Sequence, residues 1–220
     1  MLTPNYPLWL LNSDQKYDNI FVLLVLAKYN TIRRTKLFCA FIDFRKAFDY
    51  IWRVGLWSKL LKYNIIGKIL TAVKNMYTNI KSCISINGEH SDYFQCHQGI
   101  RQGEHLSPVM FSLYLNDLEN YLSVNGAYCL EINDNELNVY SKLFVLLYAD
   151  DTVVFATSEE TLTQSLNLFA NYCNQWKLDI KYDKTKVLVV GDRINRQRHI
   201  RIENYMIEML NEFKYLSFLL

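Results

Sequence analysis

Apolar and polar positions follow several distinct rhythms along this chain, and each rhythm predicts an element. From Asp14 to Asn30 the apolar residues Ile20, Leu23, Leu24 and Ala27 return at helical spacing. Leu37 to Ile42 is apolar without interruption, the pattern of a short strand buried on both faces, and it stops abruptly at Asp43. Two helical stretches follow, Leu56–Tyr63 and Ile66–Tyr77, separated near Asn64 and Gly67. Ser82–Ile86 and Ser91–Cys96 flank Asn87-Gly88, a strong hairpin signal. Leu106–Leu122 reads as one helix with Pro108 in its first turn, where a missing N–H costs nothing. Leu143–Leu147 and Thr152–Ala156 read as strands joined through Tyr148-Ala149-Asp150-Asp151. Ser158 is placed to cap a helix that buries Leu162, Leu166, Phe169, Cys173 and Trp176. Val187–Val190 and Phe213–Leu219 read as the last strands. This order predicts an α+β fold with a mainly antiparallel sheet.

Composition narrows the class. Of 220 residues 50% are hydrophobic and 21% charged, which excludes a disordered or collagen-like chain and suits one core. The longest apolar run, Ile20–Ala27, is far short of the roughly 20 residues that span a bilayer, so no membrane partner is expected. Met1–Asn12 lacks the basic start and small-residue cleavage site of a signal peptide. The five cysteines are scattered, without a C-x-x-C pair, so neither a disulfide framework nor a zinc site is indicated. An intracellular, reducing location fits, with nucleus or cytoplasm left open.

Charge is segregated. Residues 28–62 hold nine Lys or Arg against Asp43 and Asp49, and residues 181–201 hold seven against Asp183 and Asp192. Residues 116–141 hold five acids and no base. Such segregation makes either a basic face for a polyanion or an ordinary solvated surface, and charge alone does not choose.

Two acidic sites end strands: Asp43 after one apolar run, and Asp150-Asp151 within an apolar hairpin. Carboxylates are costly to desolvate and repel one another, and a hard divalent cation removes both problems. If the two strands are neighbours, the acids converge on one edge of the sheet. Two ions there, about 3.5–4 Å apart, can activate a hydroxyl and stabilise a leaving pyrophosphate. Asp-Asp is also a common polar turn, and spacing alone leaves both readings open.

Phe41-Ile42-Asp43-Phe44-Arg45-Lys46-Ala47-Phe48-Asp49 resembles the first catalytic motif of reverse transcriptases from non-LTR (LINE-type) retrotransposons. Gln98-Gly99-Ile100-Arg101-Gln102-Gly103-Glu104-His105-Leu106-Ser107-Pro108 resembles the second palm motif of that family, and Tyr148-Ala149-Asp150-Asp151 its metal-binding tetrapeptide. Lys184-Thr185-Lys186 resembles the next, lysine-bearing motif, and Phe213-Lys214-Tyr215-Leu216 the start of the primer grip. A lone Y-x-D-D is weak; five motifs in order are strong. The resemblance spans roughly residues 37–220, with a fainter similarity from Ser13 to Lys36.

The resemblance implies a right-hand polymerase palm, a mainly antiparallel sheet with helices packed on one face. It implies an RNA-directed DNA polymerase that joins dNTPs to a primer 3′-hydroxyl on an RNA template, as part of a retrotransposon. Asp43, Asp150 and Asp151 would be the catalytic and metal-binding residues, holding two Mg²⁺ ions with Mn²⁺ as a substitute. Phe48 would be the steric gate against a 2′-hydroxyl, or else a core ring. Gln102 and Gly103 would line the nucleotide and template pocket. Arg101 would bind a phosphate or pair with Glu104. Lys184 would sit near the triphosphate, with Lys186 competing for that place, and Lys214, Tyr215 and Leu216 would hold the primer. On this reading residues 1–36 are residual fingers and a connecting helix, and residues 37–220 are the palm. Most of the fingers, the thumb and the endonuclease would belong to a longer polyprotein. The alternatives are an inactive truncated remnant that at most binds nucleic acid, and a group II intron-type reverse transcriptase.

Overall fold

The computed structural model describes residues 15–134, 139–148, 151–191, 198–215 and 218–219. Helix α1 (Gln15–Arg33) leads into strand β1 (Leu37–Ile42), and helices α2 (Arg53–Lys62) and α3 (Gly67–Met76) follow. Four two-residue strands, β2 (Lys81–Ser82), β3 (Ser85–Ile86), β4 (Glu89–His90) and β5 (Phe94–Gln95), form a nested hairpin in which β2 pairs β5 and β3 pairs β4. Its tip is Asn87-Gly88, both at positive φ (52° and 88°), the backbone that a two-residue hairpin turn requires. Next come α4 (Leu106–Leu115), α5 (Leu118–Val124) and the ladder of β6 (Leu130–Asp134) with β7 (Val139–Leu143). Then follow β8 (Val145–Tyr148), β9 (Asp151–Ala156), α6 (Glu159–Gln175), β10 (Lys186–Val190), β11 (His199–Ile202) and β12 (Tyr205–Leu210). The small ladder of β13 (Lys214–Tyr215) with β14 (Phe218–Leu219) closes the order.

One sheet organises these elements, in the order β11-β12-β10-β1-β9-β8. Strand β1 lies at its centre, antiparallel to both β10 and β9, and only β10 and β12 run parallel. Alternate residues of β1 serve different cores. Phe38, Ala40 and Ile42 join Phe111, Leu162, Leu166 and Phe169 on the face covered by α2 to α6. Leu37, Cys39 and Phe41 join Ile20, Leu23 and Leu26 of α1 on the other. The helices on the first face match the implied palm, and α1 adds cover to the second. Every position of β1 is buried, which is why its sequence shows no alternation.

Two departures from the sequence reading have causes remote in the chain. The helix expected over Leu106–Leu122 breaks at Asn116-Asp117, where Asp117 has φ −95° and ψ 3°. There the carbonyl of Tyr114 accepts from Lys59 Nζ and from the Tyr172 hydroxyl, so side chains compete for a main-chain acceptor. The stretch from His199 to Leu210, unassigned from sequence, forms β11 and β12. Ile200, Ile202, Ile207 and Met209 are its buried positions, and β10, its parallel neighbour, is distant in the chain. By contrast α6 starts as expected, with Thr161 N–H donating to Ser158 Oγ at 3.1 Å.

Candidate active site

Strand pairing brings Asp43 and Asp151 together. Phe41 pairs with Val153 and Ile42 with Thr152, so the next register position sets Asp43 beside Asp151. Side chains alternate along a strand, and Asp43 therefore shares the face of Phe41, as Asp151 shares the face of Val153 and Phe155. Both acids line a cavity of about 170 Å³ together with Phe41, Lys184, Lys214 and Tyr215. Asp150 lies outside the described residues, as does Leu216.

Main-chain hydrogen bonds place Lys184 there. The carbonyl of Asp43 accepts the Lys181 N–H at 2.8 Å, and the Lys181 carbonyl accepts from both Lys184 and Thr185 at 3.0 Å. The turn before β10 is thus hung on the residue after β1. Lys186 stands opposite Phe41 on the same face, but its ammonium pairs with Glu208 at 3.1 Å. Phe213 stacks on Phe41 at a centroid distance of 4.4 Å, with Tyr215 at 5.0 Å from the same ring. That aromatic contact seats β13, and so Lys214, at the cavity.

Like carboxylates on paired strands repel, and Lys184 and Lys214 bring opposite charge to the same cavity, which has no sulfur or imidazole in its lining. Among the described residues no group of three or more His, Cys, Asp or Glu gathers. Two carboxylates without soft ligands still fit Mg²⁺, which typically takes one or two carboxylates and completes its shell with water and substrate phosphates.

A second cavity, about 540 Å³, is lined by Phe48, Gln102, Gly103, Glu104, His105 and Ser107. Phe48 both lines it and packs against Phe111, with the ring centroids 5.3 Å apart. Gly103 has φ +84°, which disfavours any residue with a side chain, and the space beside it is open. Arg101 takes the pairing alternative, with its Nη1 2.8 Å from Glu104 Oε1.

The profile of the family described as reverse transcriptase (RNA-dependent DNA polymerase) matches residues 11–220. This chain belongs to the reverse transcriptase family. Members of that family generally use divalent metal ions. The chain is 23% identical over 186 residues to an RNA-directed DNA polymerase from mobile element jockey of Drosophila funebris, covering 82% of this chain and 19% of that protein. It is 21% identical over 193 residues to a Pol polyprotein from retrotransposable element R2 of Nasonia vitripennis, covering 88% of this chain and 18% of that one. The chain thus spans about a fifth of these relatives. An apo telomerase of Candida tropicalis, truncated from its C-terminal domain, superposes with a TM-score of 0.59 at 14% identity, over 90% of this chain and 39% of that one. That similarity shows the fold, which is the polymerase palm.

Not all of the basic stretch in this chain faces outward. Lys59 is 1% exposed and donates to Asp117 Oδ1 and Tyr172 Oη, both at 2.6 Å, beneath the Trp176 ring. Burial lowers its pKa to about 8 against the opposing pull of Asp117. Burial would raise Asp117, but the charge and hydrogen bond of Lys59, with Tyr172 and Lys62, outweigh it and hold the carboxyl below its ordinary value. Arg53 is turned onto main-chain carbonyls, and Arg45 pairs with Asp179 at 3.1 Å. Counting charges does not reveal such partners, because each is supplied by a segment remote in sequence.

Proposed function

We propose that this chain is the palm of an RNA-directed DNA polymerase of a non-LTR retrotransposon, with residues 37–220 as palm and residues 1–36 as connecting segment. It would extend a DNA primer with dNTPs on an RNA template. The observation that carries this reading is the placement of Asp43 and Asp151 on paired strands, in one cavity with Lys184 and Lys214. Asp43, Asp150 and Asp151 would hold two Mg²⁺ ions, or Mn²⁺ in their place, which would supply activation of the primer 3′-hydroxyl and charge neutralisation at the leaving pyrophosphate. Lys184 adds positive charge beside the triphosphate. Phe48 sets a ring under the incoming sugar, and Gln102 with Gly103 forms the adjoining wall for nucleotide and template. Lys214, Tyr215 and Leu216 hold the primer end, with the buried Tyr215 anchoring the segment on Phe41.

The test is extension of an annealed DNA primer on an RNA template in Mg²⁺, with wild type and Asp43→Asn side by side and circular dichroism to verify folding. Extension by wild type alone is expected. Equal extension by both overturns the assignment of Asp43. Absence of extension by either, with salt-dependent duplex binding that Asp43→Asn leaves unchanged, makes the chain a nucleic-acid-binding remnant instead.

A further inference from the structure

Arg53, the first residue of α2, directs its guanidinium at four main-chain carbonyls. Nε donates to Gly99 at 2.7 Å, Nη1 to Cys96 at 2.9 Å and to Tyr77 at 3.2 Å, and Nη2 to Gln98 at 2.9 Å. Three of these acceptors lie in the segment that runs into Gln102 and Gly103. The fourth ends α3. A planar fork with five donors can span such a set, whereas a lysine ammonium, a single point with three donors, cannot.

The same segment is sewn to the turn that carries Phe48. The Ile100 N–H donates to the Phe48 carbonyl at 2.8 Å, and the Gly99 N–H to the Ile51 carbonyl at 2.9 Å. Gly99 has φ +81°, and a Cβ there would fall 2.3 Å from the Asp49 carbonyl oxygen. Main chain thus meets main chain with no room to slide. Phe48 lies on one side of this seam and Gln102-Gly103 on the other, and both line the 540 Å³ cavity.

We propose that Arg53 is a positioning residue for nucleotide selection: by clamping the Gln98–Gly103 segment onto the Phe48 turn, it sets the width of the cavity that receives the incoming sugar. The proposal rests on the reading of that cavity as the nucleotide pocket. Exclusion of a 2′-hydroxyl is a matter of one oxygen atom, so it demands walls held to a fraction of an ångström. Arg53 makes no contact with the cavity itself. It acts through carbonyls, and its loss widens the pocket without removing any group that touches substrate.

The experiment compares wild type, Arg53→Lys and Gly99→Ala in single-nucleotide addition with matched deoxy- and ribonucleotides, alongside amide hydrogen exchange at Gly99 and Ile100. Arg53→Lys is expected to raise KM for the deoxynucleotide about tenfold or more with kcat nearly unchanged, the signature of altered binding rather than altered chemistry. The preference for deoxy- over ribonucleotide falls in parallel, and Gly99 and Ile100 exchange faster while the β1 amides keep their protection. An unchanged preference in a folded variant overturns the selection role, and unchanged exchange overturns the clamp. A drop in kcat with KM and preference intact also overturns it, since that is the mark of a general structural defect. If Arg53→Lys does not fold, Gly99→Ala shifts the same segment, and with it the carbonyl that Arg53 Nε holds, while the guanidinium itself is retained, and an unchanged preference there is equally decisive. A wild-type chain that adds no nucleotide overturns the pocket reading, while exchange in Arg53→Lys still judges the clamp separately.

Discussion

At the scale of single residues, the decisive placement is that of Asp43 against Asp151. Each follows from an alternation that puts it on the face of Phe41 and Val153, where Lys184 and Lys214 also arrive. A divalent cation that binds the folded chain stabilises it by mass action, by about 2.7 kcal/mol at a hundredfold excess over Kd. Mg²⁺ is therefore expected to raise the Tm of wild type and to raise that of Asp43→Asn by much less, in thermal melts followed by circular dichroism. Equal shifts in both proteins count against Asp43 as a ligand. The sequence names these residues through their motifs, with Lys186 competing for the place given to Lys184. The turn hung on the Asp43 carbonyl and the Lys186–Glu208 pair separate them.

At the scale of elements, Lys59 ties α2 to the junction of α4 with α5 and to α6. Removing one member of a buried pair costs about 3–5 kcal/mol, because the other charge stays buried alone. Lys59→Met should lose stability on that scale in urea unfolding at neutral pH, and adding Asp117→Leu should restore most of it. The pair also has a pH signature. The folded pKa of Asp117 lies below 3.8, so its contribution is present above that value and is lost as pH falls through the lower folded one. Lys59 titrates near 8 in the fold and 10.5 unfolded, so the unfolded chain binds more protons between these values, and its contribution to stability rises with pH across that window. Unfolding of the double variant should lack both slopes. From sequence, Lys59 is one of nine basic residues, and nothing local marks it as internal. The cap at Ser158 and the turn at Asn87-Gly88 are legible because their chemistry lies within a few residues of chain.

At the scale of the molecule, a sheet with cores on both faces carries the cavity on the side that α1 covers. Leu23 of α1 is 1% exposed and packs toward Leu37, Phe41 and Phe155. Leu23→Ala is expected to cost about 2–5 kcal/mol in urea unfolding, the range for a truncated core leucine. A loss below about 0.5 kcal/mol, typical of exposed sites, would show that α1 is not part of the cooperative unit. The segment order visible in the sequence predicts α+β. It does not predict that β12 joins β10 in parallel, because that contact depends on where the intervening chain returns.

Sequence by itself determined the buried central strand, most helices, the hairpin turn, the acids at the strand ends and the order of motifs. These are local properties, carried by periodicity, capping chemistry and the residue types of short stretches. Only the tertiary structure decided that β1 and β9 are neighbours, so that Asp43 meets Asp151, and that Arg101 pairs with Glu104. It alone turned Arg53 and Lys59 from members of a basic stretch into groups committed to carbonyls and a buried carboxylate. The physical reason is common to all of them: a charge or a carbonyl finds its partner across space, and the chain between the two does not name it.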